Sequence, residues 1–388
     1  MKANLAEFSH ARNWITGYGC TSASGGTTAD YWDALCRGAD LSSPVDTARW
    51  PVQVNFEPKA CLWQNRAGLL AQLLVAWKQV RAETLDGGQP LGVILASTKG
   101  LIEDFVWKKT AAEQQCDPLA PLLERFLIET GLQPVRTICI SNACASSLSA
   151  LFLAQQWLAQ GSVSKVLILA ADQVGPFVAL GFQSLRALTS THARPFDRNR
   201  DGLQLGEAAA ALVLSATPSS PESHELLPVG LDAEGFAVTR PSLSGDSLAR
   251  ACVMIPELRE AAPQLIIAHG TGTVLNDQTE DQVFTRLFEA STEKPDITAT
   301  KWCIGHTLGA SGAMDMIAAC RVLETQKVFH LANTREVDAS FRGSYRAARD
   351  ANPNWSQTER VVQRILITSL GFGGVHAAAV LQKSVVQP

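Results

Sequence analysis

The chain has 388 residues, with 33 Lys or Arg against 37 Asp or Glu and a formal net charge of −4, so it lacks the basic surface typical of nucleic-acid binding. Its length allows a large core and predicts two domains or one large α/β unit. Charged residues are 18% of the chain, below the roughly 25% of typical soluble domains, which predicts extensive burial or a large subunit interface.

Short apolar runs predict six β-strands, at 90–97, 135–141, 165–171, 209–216, 264–270 and 364–370. They are rich in Val, Ile and Leu and show little polar alternation, which is typical of strands buried on both faces. Longer helical patterns lie between several of them, for instance at 68–84 and 146–160. This alternation predicts an α/β fold with largely parallel sheets.

A segment rich in Pro and Ser, residues 216–228, predicts a linker between an N-terminal half (1–220) and a C-terminal half (221–388). Three buried strands run directly into turns of small residues. These turns contain Cys144, His269 and the sequence GFGG around Phe372. Because ligands gather at the carboxyl ends of strands in α/β sheets, we expect the three turns to form one site.

The nine cysteines are scattered and include no CxxC pair, which argues against a zinc site or a thioredoxin-like redox site. The first residues are polar and lack the apolar core of a secretory signal. The longest apolar runs are far shorter than the roughly 18 residues that span a bilayer. We therefore expect a reduced, cytoplasmic protein with no membrane span, whose cysteines are mostly core residues.

Cys144 lies in the sequence ISNACASSLSALFLAQQWLAQG, residues 140–161. The predicted helix is apolar nearly all round, so it should be central and buried. A cysteine at its N-terminus faces free backbone N–H groups and the positive end of the helix dipole, which favour the nucleophilic thiolate. The alternative is that Cys144 is another small core residue.

Two histidines lie in glycine-rich turns, His269 in AHGTGTVLNDQTE and His306 in KWCIGHTLGASGAMD. Their small neighbours allow a ligand to approach closely. Lys301 and Glu280 belong to the same two segments. A buried pair of these two residues would set the local field and the histidine tautomers, or would be purely structural.

These segments resemble, in order, the motifs of the β-ketoacyl synthase (ketosynthase) family of the thiolase superfamily. ACASS resembles the nucleophile motif, and ARPFDRNRDGLQLGEAAAALVL (193–214) resembles the block R-P-F-D-x-x-R-D-G-F-x-x-G-E-G-A. HGTGTVLNDQTE, KWCIGHTLGASG and GFGGVHA (371–377) resemble the three later motifs of the family. The matches extend from near residue 15 to near residue 380.

The resemblance implies a thiolase-like fold, in which two similar α/β halves pack as a layered αβαβα core. It also implies an acyltransferase, a β-ketoacyl-acyl carrier protein synthase of fatty-acid or polyketide biosynthesis. Such an enzyme holds an acyl group on Cys144 and condenses it with a malonyl thioester that loses CO₂. The implied site consists of the catalytic Cys144, His269 and His306, the supporting Lys301 and Glu280, an oxyanion hole formed by the N–H groups of Cys144 and Phe372, and the pantetheine-binding Thr271 and Thr273.

The family uses no metal and no separate cofactor, since its substrates arrive on the phosphopantetheine of an acyl carrier protein. The resemblance implies that carrier protein as a partner, together with a second subunit in a homodimer or a heterodimer. Basic side chains that could guide an acidic carrier protein are Lys108, Lys109, Arg194, Arg198 and Arg200. Each could equally be an ordinary surface residue, and the three arginines could instead belong to a structural turn.

Several positions depart from the family pattern, namely Ala208, Asn276, Trp302 and His376. The segment 97–134 is also unlike that of the housekeeping enzymes, so we expect a specialised ketosynthase of a polyketide or aryl-polyene pathway. The alternative is a non-catalytic or weakly catalytic partner, like the chain-length-factor subunits, although these typically lack the cysteine. A degradative thiolase would require a C-terminal cysteine that GFGGVH does not contain. A Cys–His hydrolase has no support in the surrounding motifs.

Overall fold

The structure is a computed structural model that describes residues 12–48, 50–65, 67–80, 88–107, 117–220, 223–348 and 360–384. Its strands are β1 (Asn13–Ser22), β2 (Ser43–Pro44), β3 (Lys59–Cys61), β4 (Leu91–Ala96), β5 (Arg136–Ile140), β6 (Lys165–Asp172), β7 (Leu205–Gly206), β8 (Ala208–Ser215), β9 (His224–Leu226), β10 (Gly230–Ala233), β11 (Leu265–Ile267), β12 (Asp296–Thr298), β13 (Ser344–Tyr345), β14 (Arg364–Leu370) and β15 (Val375–Lys383). Its helices are α1 (Thr28–Arg37), α2 (Leu69–Trp77), α3 (Ile102–Trp107), α4 (Ala120–Thr130), α5 (Ser146–Ala159), α6 (Pro176–Ser184), α7 (Asp246–Val253), α8 (Glu257–Glu260), α9 (Val274–Phe288), α10 (Lys301–Ile304) and α11 (Ser311–Thr325). None of these helices is long and apolar enough to cross a lipid bilayer.

The strands repeat one pattern twice. The first half has the order β1-β8-β6-β4-β5, and the second has β10-β15-β14-β11-β12. In each half the first two pairings are antiparallel and the last two are parallel. The short strand β9 pairs with both β1 and β15 and so joins the two ladders.

The helices complete the layers. Helices α5 and α11 contact each other and strands of both halves, so they form the central layer. Helix α2 packs on β1, β6 and β8, whereas α7 packs on β10 and β15. The predicted arrangement of two similar α/β halves in a layered core is therefore confirmed.

The central helices explain the apolar patterns read from the sequence. Helix α5 is apolar around most of its circumference because it is covered on both sides, and its Trp157 side chain is almost fully buried. Helix α11 is buried in the same way from Ser311 to Cys320. Strands β6 and β8 are buried along nearly their whole length, as continuous apolar runs predict.

Four details of the sequence prediction are wrong. The sheet is mixed, because the order of the strands, and not their composition, sets the direction of pairing. Strand β5 is an edge strand whose first three residues are exposed. The linker is shorter than residues 216–228, because β9 begins at His224 and is buried. The predicted helix 68–84 ends as α2 at Trp77, and residues 81–87 lie outside the described part.

Candidate active site

Cys144 lies in a tight turn between β5 and α5. The preceding residue, Ala143, has φ +47°, a left-handed conformation that costs a residue with a Cβ free energy. The Ser146 hydroxyl holds the turn, because it donates to the Ala143 carbonyl (2.6 Å) and accepts the Asn142 N–H (2.9 Å). The turn directs the Cys144 side chain into the interior, where it is 4% exposed.

His306 is in direct contact with the thiol. Its Nε2 lies 2.9 Å from Cys144 Sγ, and its Nδ1 lies 2.9 Å from the Ser311 hydroxyl. The backbone N–H of His306 donates to the Gln204 carbonyl (2.6 Å). A proton on Nδ1 facing Ser311 leaves Nε2 as an acceptor for the S–H group. The imidazole is thereby held for proton transfer from the thiol.

His269 is the third member of the cluster. Its ring meets the His306 ring edge-on, with the centroids 5.2 Å apart. One donor atom from each of His269, His306 and Cys144 lies within 4.8 Å of the other two. Among the described residues, no hydrogen-bond partner is present for the buried Nδ1 of His269. The structure thus brings together the three residues predicted to be catalytic.

Burial dominates the ionisation of the cluster. It raises the pKa of Cys144 to about 12, against the lowering effects of the Phe372 N–H, the Lys301 charge and the N–H of Cys144 itself. It also holds the pKa values of His269 and His306 well below their usual range, and the Lys301 charge adds to this effect. Desolvation therefore outweighs the thiolate-favouring effect that the sequence predicts for the helix N-terminus. A neutral thiol faces neutral imidazoles.

Lys301 does not pair with Glu280. Its Nζ lies 3.1 Å from Oδ2 of Asp315, and both side chains are buried. Thr300 donates to the other oxygen of Asp315 at 2.5 Å. No local sequence pattern favours Asp315 over Glu280, because the pairing depends on how α10 packs against α11. In its pair with Asp315, Lys301 still places a positive charge near both histidines.

Glu280 holds the turn that carries His269 through hydrogen bonds to its carboxylate. Its carboxylate accepts the N–H groups of His269 (2.8 Å) and Gly270 (2.7 Å) and the Thr368 hydroxyl (2.7 Å). Asn276 donates to the same carboxylate at 2.9 Å and to Asp277 at 3.1 Å. The Asn276 amide thus joins two buried carboxylates, which gives this departure from the family pattern a structural role.

The turn after β14 carries Phe372 against the thiol. The backbone N–H groups of Phe372 and Cys144 both face Sγ. Ser369 at the end of β14 donates to the Cys144 carbonyl at 2.9 Å, which ties the two turns together. The Phe372 ring packs against that of Phe182, with the centroids 5.5 Å apart. Two N–H groups in this position can also face the oxygen of a thioester bound to Cys144.

Thr271 and Thr273 lie on the turn between His269 and α9. Their hydroxyl oxygens are 3.0 Å apart, and Thr271 is buried whereas Thr273 is partly exposed. Thr273 is the residue that directly precedes α9.

A buried ion pair at the same sheet edge was missed by the sequence reasoning. Lys99 follows β4, Asp172 ends β6, and their Nζ and Oδ1 atoms are 3.2 Å apart. A lysine and an aspartate directly after apolar strands (ASTK and LAAD) were the available signal.

The motif arginines are mainly structural. Arg200 is buried between Asp277 (3.8 Å) and Asp338 (2.8 Å). Arg198 pairs with Glu336, and Arg194 lies 3.9 Å from Asp201. The interpretation as a structural turn is thus confirmed for Arg200. Lys108 and Lys109 lie outside the described residues.

Two other departures are buried. Trp302 is fully enclosed, and its carbonyl accepts the side-chain N–H of Asn333 at 3.2 Å. His376 on β15 lies opposite Asp232 of β10, and its Nε2 is 3.7 Å from the Glu234 carboxylate. The larger side chains are therefore accommodated in the core. Nothing in the structure explains Ala208.

The thiol and imidazole atoms of Cys144, His269 and His306 are of the type that binds soft or borderline metal ions. The contact of 2.9 Å between Sγ and Nε2 instead engages two of these atoms with each other. A hydrogen-bonded nucleophile and base, with a second imidazole and two N–H donors alongside, can carry out acyl transfer through the sulfur.

Comparison with known proteins agrees with this geometry. Residues 135–219 match the β-ketoacyl synthase N-terminal domain, and residues 225–335 match the β-ketoacyl synthase C-terminal domain, so that the matches span half of the chain. The ketoacyl synthase alpha subunit of the tetracenomycin polyketide synthase of Streptomyces glaucescens is 26% identical over 95% of this chain and 96% of its own length.

Two solved structures have the same fold. One is a type II polyketide ketosynthase in complex with its acyl carrier protein (TM-score 0.83, 20% identity, 96% of this chain and 99% of that chain). The other is a ketosynthase in complex with its chain length factor from Xenorhabdus doucetiae (TM-score 0.76, 23% identity, 99% and 100%). The chain is a member of the β-ketoacyl synthase family.

Proposed function

We propose that the protein is a β-ketoacyl-acyl carrier protein synthase that catalyses decarboxylative Claisen condensation in polyketide or fatty-acid-like biosynthesis. The observation that carries this proposal is the 2.9 Å contact between Cys144 Sγ and His306 Nε2, with His269 completing the cluster. Family membership alone does not decide whether a chain condenses, because the family also contains partner subunits. A complete Cys–His–His set does favour catalysis.

In the first half-reaction, Cys144 attacks the carbonyl carbon of an acyl thioester on the carrier protein. The S–H proton passes to Nε2 of His306 as the S–C bond forms, and the pantetheine thiolate leaves and takes up a proton. The N–H groups of Cys144 and Phe372 donate to the oxygen that becomes negative in the tetrahedral intermediate. A neutral thiol beside a neutral imidazole requires this transfer, because little thiolate exists beforehand.

In the second half-reaction, a malonyl thioester enters and loses CO₂. His269 and His306 then donate to its thioester carbonyl and stabilise the enolate, which for His306 requires the proton on Nε2, with Nδ1 accepting the Ser311 hydroxyl. The enolate carbon attacks the acyl carbonyl on Cys144, and the sulfur leaves as a thiolate that takes up a proton from solvent as the β-ketoacyl product forms. The buried charge of Lys301 favours a nearby anion and keeps both imidazoles neutral, as hydrogen-bond donors rather than cations.

The substrates would arrive on the phosphopantetheine arm of an acyl carrier protein, with Thr271 and Thr273 as its hydrogen-bonding partners. Glu280 would hold the turn that carries His269, and Lys301 would place a positive charge near both histidines. We assign residues 1–220 and 221–388 to the two halves of the fold. The assembly would be a homodimer or a heterodimer with a chain-length-factor-type subunit, as in the related complex with such a factor.

The alternative is a partner subunit with little activity of its own, resembling a chain length factor. Departures from the family pattern at Asn276, Trp302 and His376 favour a specialised role. Co-expression with neighbouring pathway proteins separates these possibilities. A homodimer that condenses supports the enzyme, whereas an obligate mixed pair whose activity survives Cys144→Ala supports the partner subunit.

The direct test uses acyl carrier proteins loaded with a range of acyl chains, and the mass of the protein is followed. An acyl adduct on the Cys144 peptide is expected, together with a β-ketoacyl product when malonyl-carrier protein is added. Cys144→Ala should abolish both, whereas Cys303→Ala, at another buried cysteine, serves as the control. The absence of any adduct across the acyl series would contradict the proposal.

A further inference from the structure

The ion pair of Lys99 and Asp172 is a second buried charge pair, tied to the turn that carries His306. Asp172 is fully buried and Lys99 is 8% exposed. Besides its 3.2 Å contact with Asp172, the Lys99 ammonium donates to the Gln173 carbonyl at 2.6 Å. Burying a lysine costs free energy unless its charge is paired, so the position of this pair needs a reason.

The repeated strand order shows which position in the fold the pair of Lys99 and Asp172 occupies. Strand β4 of the first half corresponds to β11 of the second, and β6 corresponds to β14. His269 follows β11 and Phe372 follows β14, whereas Lys99 follows β4 and Asp172 ends β6. Lys99 and Asp172 therefore occupy, in the first half, the positions that site residues occupy in the second.

The Asp172 carboxylate also anchors the turn that carries His306. It accepts the N–H of Gly309 at 2.8 Å, three residues after His306. It further accepts the hydroxyls of Ser97 (3.0 Å) and Thr98 (2.9 Å) and the Thr98 N–H (2.8 Å). Asp172 thus holds the negative charge of the ion pair against the turn that carries His306.

This negative charge opposes the reactivity of the thiol. The Asp172 charge raises the pKa of Cys144, whereas the Lys301 charge lowers it. The ammonium of Lys99 lies against Asp172 and offsets its charge. The titratable and charged groups around Cys144 on the elements packed against it are His269, His306, Lys301 with Asp315, and Asp172 with Lys99.

We propose that Lys99 and Asp172 are positioning residues for the nucleophile, in which Asp172 anchors the His306 turn and Lys99 neutralises the charge that this anchor places near Cys144. The consequence for acyl transfer rests on the proposed function. The electrostatic effect on the thiol does not, because it can be measured without any substrate.

The test is the alkylation rate of Cys144 by iodoacetamide at pH 8, measured on the Cys144 peptide by mass spectrometry. Lys99→Met leaves the Asp172 charge uncompensated, so it should raise the pKa of the thiol and slow alkylation about tenfold. Asp172→Asn leaves the Lys99 charge uncompensated and should accelerate alkylation by a similar factor. The double variant, which lacks both charges, should return close to the wild-type rate. Lys59→Met, at an exposed lysine, should leave the rate unchanged.

Opposite shifts in the single variants cannot arise from loosened packing, which would change accessibility in one direction. Equal rates in all four proteins, or the same direction in both single variants, would overturn the proposal. If Lys99→Met does not fold, Asp172→Asn and the double variant still test the proposal, because their alkylation rates must differ about tenfold. Failure of wild-type self-acylation would overturn the proposed function while leaving this result standing.

Discussion

Nζ of Lys301 and Oδ2 of Asp315 lie 3.1 Å apart in the interior, between α10 and α11. Removing one partner leaves the other as an unpaired buried charge. We expect Asp315→Asn to lower the free energy of unfolding by about 3–5 kcal/mol in urea denaturation. Asp246→Asn removes the partner of Arg286 at the surface and should cost much less, because solvent screens an exposed pair. Equal losses in the two variants would contradict the assignment of a buried, charged pair.

The Ser311 hydroxyl orients His306 through the 2.9 Å contact with Nδ1. Ser311→Ala removes this contact, so the imidazole loses the bond that selects its tautomer. A single hydrogen bond contributes about 1 kcal/mol, and we expect self-acylation to slow about fivefold. Single-turnover mass measurement with an acyl-carrier protein checks this.

Ser340→Ala, at an exposed serine that bonds Asp338, is the matched control and should leave the acylation rate unchanged. An unchanged rate in Ser311→Ala would mean that the backbone alone orients His306.

Because burial raises the pKa of Cys144 to about 12, the resting thiol is neutral at ordinary pH. The thiolate fraction should rise tenfold with each pH unit below that value. Alkylation of Cys144 by iodoacetamide should therefore accelerate about tenfold per pH unit between roughly pH 7 and 9. A plateau near neutral pH would instead indicate a preformed thiolate–imidazolium pair.

The sequence predicted which residues come together at the site, but not which ion pairs lie around them. Cys144 and His269 could be found because each follows a strand, and strand ends share one edge of a sheet. His306 could be found because it lies in a glycine-rich motif, here after α10. The partners of Lys301 and Lys99 could not, because Asp315 and Asp172 come from other elements whose packing no local pattern reveals. The same limit applies to the pKa of Cys144, because its burial depends on layers assembled from both halves.

Asn276 donates to both Asp277 and Glu280, the carboxylates beneath the His269 turn. Without this amide, each buried oxygen loses a donor, and the pKa values of both carboxyls, already raised by burial, should rise further. We expect Asn276→Ala to destabilise the protein by about 1–3 kcal/mol, measured by urea denaturation. Alanine is the right replacement, because the glycine of the family motif would add its own helix penalty.

Gln278→Ala, on the same turn of α9 and less buried, is the control and should cost less. Equal costs would assign the effect of Asn276→Ala to the helix rather than to the two carboxylates.

His376 couples the stability of the fold to pH. Burial lowers its pKa below the usual value, and the raising effects of Glu234 and Asp232 do not compensate. Below the unfolded pKa of roughly 6.5, the unfolded chain binds a proton that the folded chain resists, so stability is lost as the pH falls. His269 and His306 act in the same direction.

We therefore expect the wild-type melting temperature to fall between pH 7 and pH 5.5, and to fall less in His376→Asn, which has the residue of the family motif. Differential scanning fluorimetry at the two pH values checks this. A larger acid loss in His376→Asn would show that the charged imidazole, paired with Glu234, stabilises the fold.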